Sequence, residues 1–362
     1  MEGSPADIVL FAPLAPILGV ILFWFIQLLF IESEKFLLDK IRPNHETLCR
    51  FTNFLGILFQ SICHALGFTI TKSGISDFYI SVNYGRVAPK KEKKGIFEWI
   101  ANAFLFVGPF FIPAFLLLIC LIFSPVKFEI ITPPQLLELK YTFAGQIMTF
   151  GTSLHSFAES FFGFLLNIDL FHPGHLGFLL LLIFLGMGIR PSYVGEQKHE
   201  KVDMLYDLRN IWSLISHKPL YVVILFFLAY MFFYVSLIFD KILGVNNDWY
   251  IAFFILLGWL SIISIASIII ANAILYLIKI TDKLEGIWKF IPYITMPLSY
   301  LIIRLIFFNI LIDYKLFLSL FGMVLCTVIV TYLLLYFKTN KFKTKRVIKK
   351  SKKKSKGETD ER

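Results

Sequence analysis

Gln60-Ser61-Ile62-Cys63-His64-Ala65-Leu66-Gly67 lies near the end of an apolar, helix-like segment that spans residues 51–70. A short polar stretch follows, and then Ser76-Asp77-Phe78-Tyr79-Ile80-Ser81-Val82-Asn83-Tyr84-Gly85-Arg86-Val87, which is rich in β-formers and partly alternates apolar with polar. Gly74 and Gly85 punctuate it, so it predicts one or two short strands. Lys90-Lys91-Glu92-Lys93-Lys94 makes a basic loop before the next apolar segment, 97–123, which Pro109 and Pro113 interrupt. An apolar helix, a strand-forming loop and a second apolar helix therefore stand in a row.

The chain as a whole belongs to a bilayer. Hydrophobic residues make up 57% of it, mean hydropathy is +0.73, and several runs exceed the roughly 18–20 apolar residues that cross a membrane. The opening MEGSPAD lacks the basic flank of a secretory signal, so the first hydrophobic run is expected to stay as an anchor. The cysteines at 49, 63, 120 and 326 form no C-x-x-C pair, which argues against a disulfide framework or a structural zinc ribbon. No P-loop, dinucleotide fingerprint or haem-attachment motif is present.

Apolar runs at 8–31, 51–70, 97–123, 174–190, 219–242, 249–280, 288–312 and 315–337 predict an all-α polytopic membrane protein of eight transmembrane helices. A ninth is added if 143–166 also crosses. That segment carries Gln146, Thr149, Thr152, Ser153, His155, Ser156, Glu159 and Ser160, which is too polar for a lipid-facing span and predicts a partly embedded helix. Four regions follow: an anchor helix and loop at 1–50, a membrane core at 51–205, a four-helix region at 206–337 and a basic tail at 338–362. The tail holds twelve of the Lys and Arg residues behind the net charge of +10. Its few apolar residues predict disorder. Its place directly after a span predicts a cytoplasmic tail attracted to anionic lipid headgroups rather than to nucleic acid. Loop charges leave the side of Thr71–Glu98 undecided. Its 71–97 stretch holds six Lys/Arg, and the loops 32–50 and 124–173 together hold six.

In the motif H-E-x-x-H, residues i and i+4 share a helix face, so two imidazoles grip one zinc while the Glu activates its water. The octamer has that frame with only the last histidine left: Gln60 stands at the first ligand, Ser61 at the base, and His64 at the second ligand. An apolar helix ending His-Ala-Leu-Gly, a β-rich loop and a helix with Gly108-Pro109 resemble the site-2 protease (M50) family of intramembrane zinc metalloproteases. The resemblance covers roughly residues 51–205. It implies a cytosolic, partly embedded strand-forming loop, eight spans and both termini in the cytoplasm. The family's third ligand, an Asp at the end of a later helix, has no counterpart. The matching segment ends Gly188-Ile189-Arg190-Pro191-Ser192, and the nearest acids are Glu196 and Asp203. That ending looks like some divergent prokaryotic relatives and implies a prokaryotic cell membrane.

Other residues offer alternatives. His155 and Glu159 are i,i+4 on one helix face, a legitimate metal spacing, so a composite zinc site of His64, His155 and Glu159 is one reading. An interhelical hydrogen-bonding pair is the plainer one. His172 and His175 flank a Pro-Gly turn and read as an interfacial loop. Ser61 and His64 are i,i+3 neighbours with no local acid to orient the imidazole. Arg304 inside a span must face the bundle, a water-filled cavity or a partner. Asn272 and Asn309 are candidate neighbours and Asp240 a candidate counter-ion. Trp24, Trp212, Trp249 and Trp288 read as interface anchors. The leading expectation is a protease homologue that binds transmembrane segments of other proteins and does not cut, with no cofactor. The alternatives are an active metalloprotease with unusual zinc ligands, and a transporter in which Arg304, Asn272 and 143–166 line a pathway.

Overall fold

The computed structural model describes residues 4, 6–123, 141–189, 193–194, 200–201, 203–243, 249–307 and 314–357. Ten α-helices and two small hairpins are found among them. The helices are α1 (Leu14–Ile41), α2 (Glu46–Ile70), α3 (Ile96–Phe123), α4 (Phe143–Leu166), α5 (Pro173–Gly186), α6 (Met204–Ser216), α7 (Pro219–Leu243), α8 (Trp249–Thr281), α9 (Ile291–Ile306) and α10 (Lys315–Gly357). Strands β1 (Ile75–Ile80) and β2 (Gly85–Pro89) pair antiparallel between α2 and α3. Strands β3 (Tyr193–Val194) and β4 (Glu200–Lys201) make a second, minimal pair. The protein is thus all-α, embedded in the membrane, with a β-hairpin where the sequence predicts one.

Among the described residues six helices are long and apolar enough to cross a bilayer: 7–41, 46–70, 96–123, 219–240, 249–281 and 315–338. The sequence predicts eight. The two in question are α5 and α9, apolar but only 14 and 16 residues long. At 1.5 Å per residue they reach roughly 21 and 24 Å against a hydrocarbon core of about 30 Å. Helix α4 has the length, but its polar residues keep it outside the six. Helix α10 continues unbroken to Gly357, as lysine-rich sequence is a good helix former and cations are favourable near a helix C-terminus.

The chain divides into two compact units, residues 1–164 with 170–275 and residues 165–169 with 276–362. In the first, α1 and α8 run side by side in the same direction. The Tyr250 hydroxyl donates to the Pro13 carbonyl near the start of both, and Asn272 Nδ2 donates to the Phe30 carbonyl (3.0 Å) farther along. Pro13 has no N–H to offer Val9, and the Tyr234 hydroxyl donates to that carbonyl instead (2.5 Å). Helix α4 lies against both. Phe150 covers Gly19 of α1, while Phe157 stacks on Trp259 of α8 with ring centroids 4.9 Å apart. A core of Leu28, Ile31, Phe110, Ile189 and Ile268 joins α1, α3 and α8, and Trp24 packs edge-on to Phe110 within it. Trp24 is half-buried against this core, where the sequence predicts an interface anchor. Trp212, Trp249 and Trp288 are exposed.

At the far end of α1, Lys35 and Asp207 of α6 form an ion pair at 3.6 Å with almost no exposure. Glu32 accepts from the Met204 N–H at the start of α6 (2.9 Å). In the second unit α9 packs along α10, with Ile303 lying over Gly322. Thr281 and Tyr293 hydroxyls meet at 2.7 Å, and Lys289 pairs with Asp282 at 2.6 Å.

Two glycines of α5 test this packing with opposite signs. A Cβ on Gly186 would lie 2.5 Å from the Ser267 carbonyl oxygen, which as backbone cannot swing aside, whereas a Cβ on Gly177 meets nothing within 4 Å. Gly186→Ala is expected to destabilise by about 1–3 kcal/mol. Gly177→Ala is expected to stabilise by about 0.5–1 kcal/mol. Denaturant titration in detergent reads both.

Candidate functional site

Helix α2 is held from two sides. Towards α3 the contact is made by small residues. A Cβ on Gly67 would lie 3.0 Å from the backbone of Ala101, and one on Gly108 would lie 2.9 Å from Cys63 Cβ. This is the close backbone approach that packs helices in lipid, where no hydrophobic drive between them exists. Towards the other side the hairpin folds back along the helix. At its base, Thr71 Oγ1 donates to the Gly67 carbonyl (2.9 Å), and Lys93 Nζ donates to the Thr71 carbonyl (2.6 Å). Gly74, at φ +67°, makes the bend into β1. At its tip, Asn53 Nδ2 donates to the Val82 carbonyl (3.0 Å), and Ser81 Oγ ties the turn by accepting from the Tyr84 N–H (3.2 Å).

Ser61 sits under this cover. It is 5% exposed, and a Cβ on Gly85 would collide with its Oγ and lie 2.8 Å from Ile57 Cγ2. Position 61 therefore needs a short side chain, and position 85 needs none. The sequence marks Ser61 as a lost base, but the structure shows what the serine does there: it lets β2 rest on α2. Gln60 and His64 are half-buried on the same helix. The His64 ring lies against Phe68 with centroids 4.3 Å apart, and its Nε2 is buried with no hydrogen-bond partner.

Among the described residues no three His, Cys, Asp or Glu side chains are grouped as a metal needs. His64, His155 and Glu159 are thus not brought together, and this donor set does not fit a three-ligand zinc. His155 and Glu159 are both exposed on α4. His155 faces an apolar groove of about 720 Å³ whose other walls are α1 and α8. His172 and His175 face each other, ring centroids 4.7 Å apart, at the start of α5. Asp203 caps α6, its Oδ1 accepting from the Tyr206 N–H (2.7 Å). Arg190, Pro191, Ser192, Glu196 and Asn309 lie outside the described residues.

Arg304 has a partner the sequence does not suggest. Its Nη2 meets Asp169 Oδ2 at 3.3 Å, and the Tyr300 hydroxyl donates to Asp169 Oδ1 (3.2 Å). Asp169 lies in the turn after α4, and only the fold joins it to α9. The expected neighbours are engaged elsewhere. Asn272 is bonded to Phe30, and Asp240 accepts from the Tyr141 hydroxyl (2.5 Å).

No protein-family model, no curated protein and no solved structure matches this chain. Its site is therefore described by geometry alone: a two-stranded sheet laid along a helix whose polar positions are Gln60, Ser61 and His64. Among the described residues the sheet has two strands, each with one edge unpaired, and β1 is exposed along nearly its whole length, including Phe78 and Tyr79.

Gly85→Ala should push β2 off α2. Trypsin cleavage after Arg86 is then expected to speed up several-fold, because strand residues are cut through local opening. Adding Ser61→Ala removes the blocking Oγ and is expected to return the rate most of the way, read by limited proteolysis with mass spectrometry.

Proposed function

We propose that this protein is a non-catalytic relative of the site-2 protease family, which holds extended segments of other membrane proteins without cutting them. The observation that carries the reading is the exposed β1 beside a motif helix whose general-base position is a serine buried under Gly85. An unpaired strand edge offers backbone N–H and C=O groups in register, and an extended segment takes them up by strand addition. Loss of a base and a ligand removes hydrolysis while leaving such an edge intact. In this reading the protein lies in the prokaryotic cell membrane with the basic end of α10 on the cytoplasmic side, where it meets anionic headgroups.

The test uses a photo-crosslinkable transmembrane peptide with an extended juxtamembrane end, added to the full-length protein in nanodiscs. Successive strand residues point their N–H groups to opposite edges. Of Phe78→Pro and Tyr79→Pro, one therefore removes a donor from the free edge and the other weakens pairing with β2. Capture of the uncut peptide, reduced about tenfold by the free-edge proline, is the expected result. Peptide cleavage that disappears in His64→Ala, with about one zinc per chain, overturns the reading in favour of an enzyme. Absence of capture, with solute flux in proteoliposomes that Arg304→Ala abolishes, overturns it in favour of a transporter.

A further inference from the structure

A second polar site lies within the first compact unit, away from the hairpin. It is a cleft of about 230 Å³ between the first turns of α3 and the junction of α6 with α7. Its level in the membrane follows from the helices that meet there. Spans α3 and α7 both begin at the cleft, at Ile96 and Pro219. Helix α6 is amphipathic and turns Leu205 and Trp212 outward. Two span ends and a surface helix with an exposed tryptophan place the cleft at the headgroup boundary. Trp99 braces it, its Nε1 donating to the Leu214 carbonyl (2.9 Å) while its ring meets Tyr221 edge-on.

The lining is chemically mixed. Lys218, His217, Asn102 and Asn210 offer donors, and Glu98 offers a carboxylate. Asn210 Nδ2 is buried and has no hydrogen-bond acceptor among the described residues. His217 Nδ1 lies 2.8 Å from the Ser213 carbonyl and 3.1 Å from the Ser213 hydroxyl, and its ring lines the cleft. Glu98 and Lys218 have no ion-pair partner among the described residues, and they do not close on each other. The basic run Lys90–Lys94 immediately precedes Gly95 of the cleft lining.

We propose that this cleft binds a phosphate ester carrying a primary ammonium, the chemistry of an aminophospholipid headgroup. Phosphate oxygens supply the acceptor that Asn210 lacks and the counter-charge for Lys218. A bare anion would be repelled by Glu98, whereas a short amine arm turns that carboxylate into a partner. A trimethylated amine has no N–H to donate to Glu98 and is the weaker ligand. This assignment does not depend on what the hairpin binds.

Native mass spectrometry of the full-length protein in detergent tests it, with phosphatidylethanolamine and phosphatidylcholine of identical acyl chains. Phosphatidylethanolamine is expected to bind at least tenfold tighter. Lys218→Gln should weaken it about tenfold. Glu98→Gln should lower it to the phosphatidylcholine level and leave phosphatidylglycerol binding undiminished. Both side chains are exposed, and an unchanged melting curve certifies the fold. Soluble O-phosphoethanolamine distinguishes the sources. Displacement of the lipid shows that the headgroup chemistry suffices and that a free aminophosphate can occupy the site. Lack of displacement shows that acyl anchorage is required. Equal binding of the two lipids, or binding that neither variant alters, overturns the proposal. A loss in Lys218→Gln without one in Glu98→Gln overturns the ammonium half of it.

Discussion

Contact between backbones where side chains are missing or minimal organises this membrane protein. Lipid tails are as apolar as leucine, so helices in a bilayer gain little by hiding apolar surface from one another and must gain by close packing. Helix α2 meets α3 through Gly67 against Ala101 and Cys63 against Gly108, and meets the hairpin through Ser61 against Gly85. The same device recurs at Gly186 against Ser267, at Gly19 beneath Phe150, at Gly258 beneath Leu154 and at Gly322 beneath Ile303. Each pair joins elements distant in sequence, and a single added methyl at either glycine of α2 or β2 meets backbone or a buried atom. The hairpin depends on this most. A two-stranded sheet is marginal in isolation, and this one persists because α2 admits β2 to backbone distance.

Burial also decides which polar groups are tolerated. The carbonyls exposed by the proline-bearing start of α1 are met by hydroxyls of Tyr230, Tyr234 and Tyr250. Lys35 with Asp207, and Arg304 with Asp169, show that charged groups placed among helices are paired. Such pairs add little net stability against apolar substitutes, but losing one partner strands the other, so they select one arrangement of helices over its neighbours. A smaller set stays unpaired, including His64 Nε2 and both amide atoms of Gln27. These atoms lie where a bound molecule or ordered water gains most, since a buried unsatisfied group forfeits about 1–3 kcal/mol.

Much of the architecture was legible from hydropathy and β-propensity. The long apolar runs became helices near their predicted bounds, the β-formers between 76 and 87 became the hairpin, and the polarity of 143–166 separated α4 from the spans. Helix ends were less legible, because hydropathy does not see where a helix breaks. The start of the 288–312 run falls inside a 3₁₀ turn at Gly286–Lys289, and the helix begins only at Ile291. Trp24 illustrates a different limit. Its place in a span resembled that of an anchor, and only the tertiary structure sets its ring edge-on to Phe110.

The sequence by itself determined the membrane class, the order Gln60-Ser61 before His64 near the end of an apolar helix, and the strand-forming character of the loop after it. Those are properties of residue type and spacing, which need no partner to be read. The tertiary structure decided the rest. It showed Ser61 to be a packing residue under Gly85, gave Arg304 to Asp169 and Asn272 to Phe30, kept His64 apart from His155 and Glu159, and gathered Glu98, Asn210, His217 and Lys218 around one cleft. Each of these joins residues tens to more than two hundred positions apart. No local periodicity encodes such pairings, because they are set by which helix faces can approach closely enough to touch.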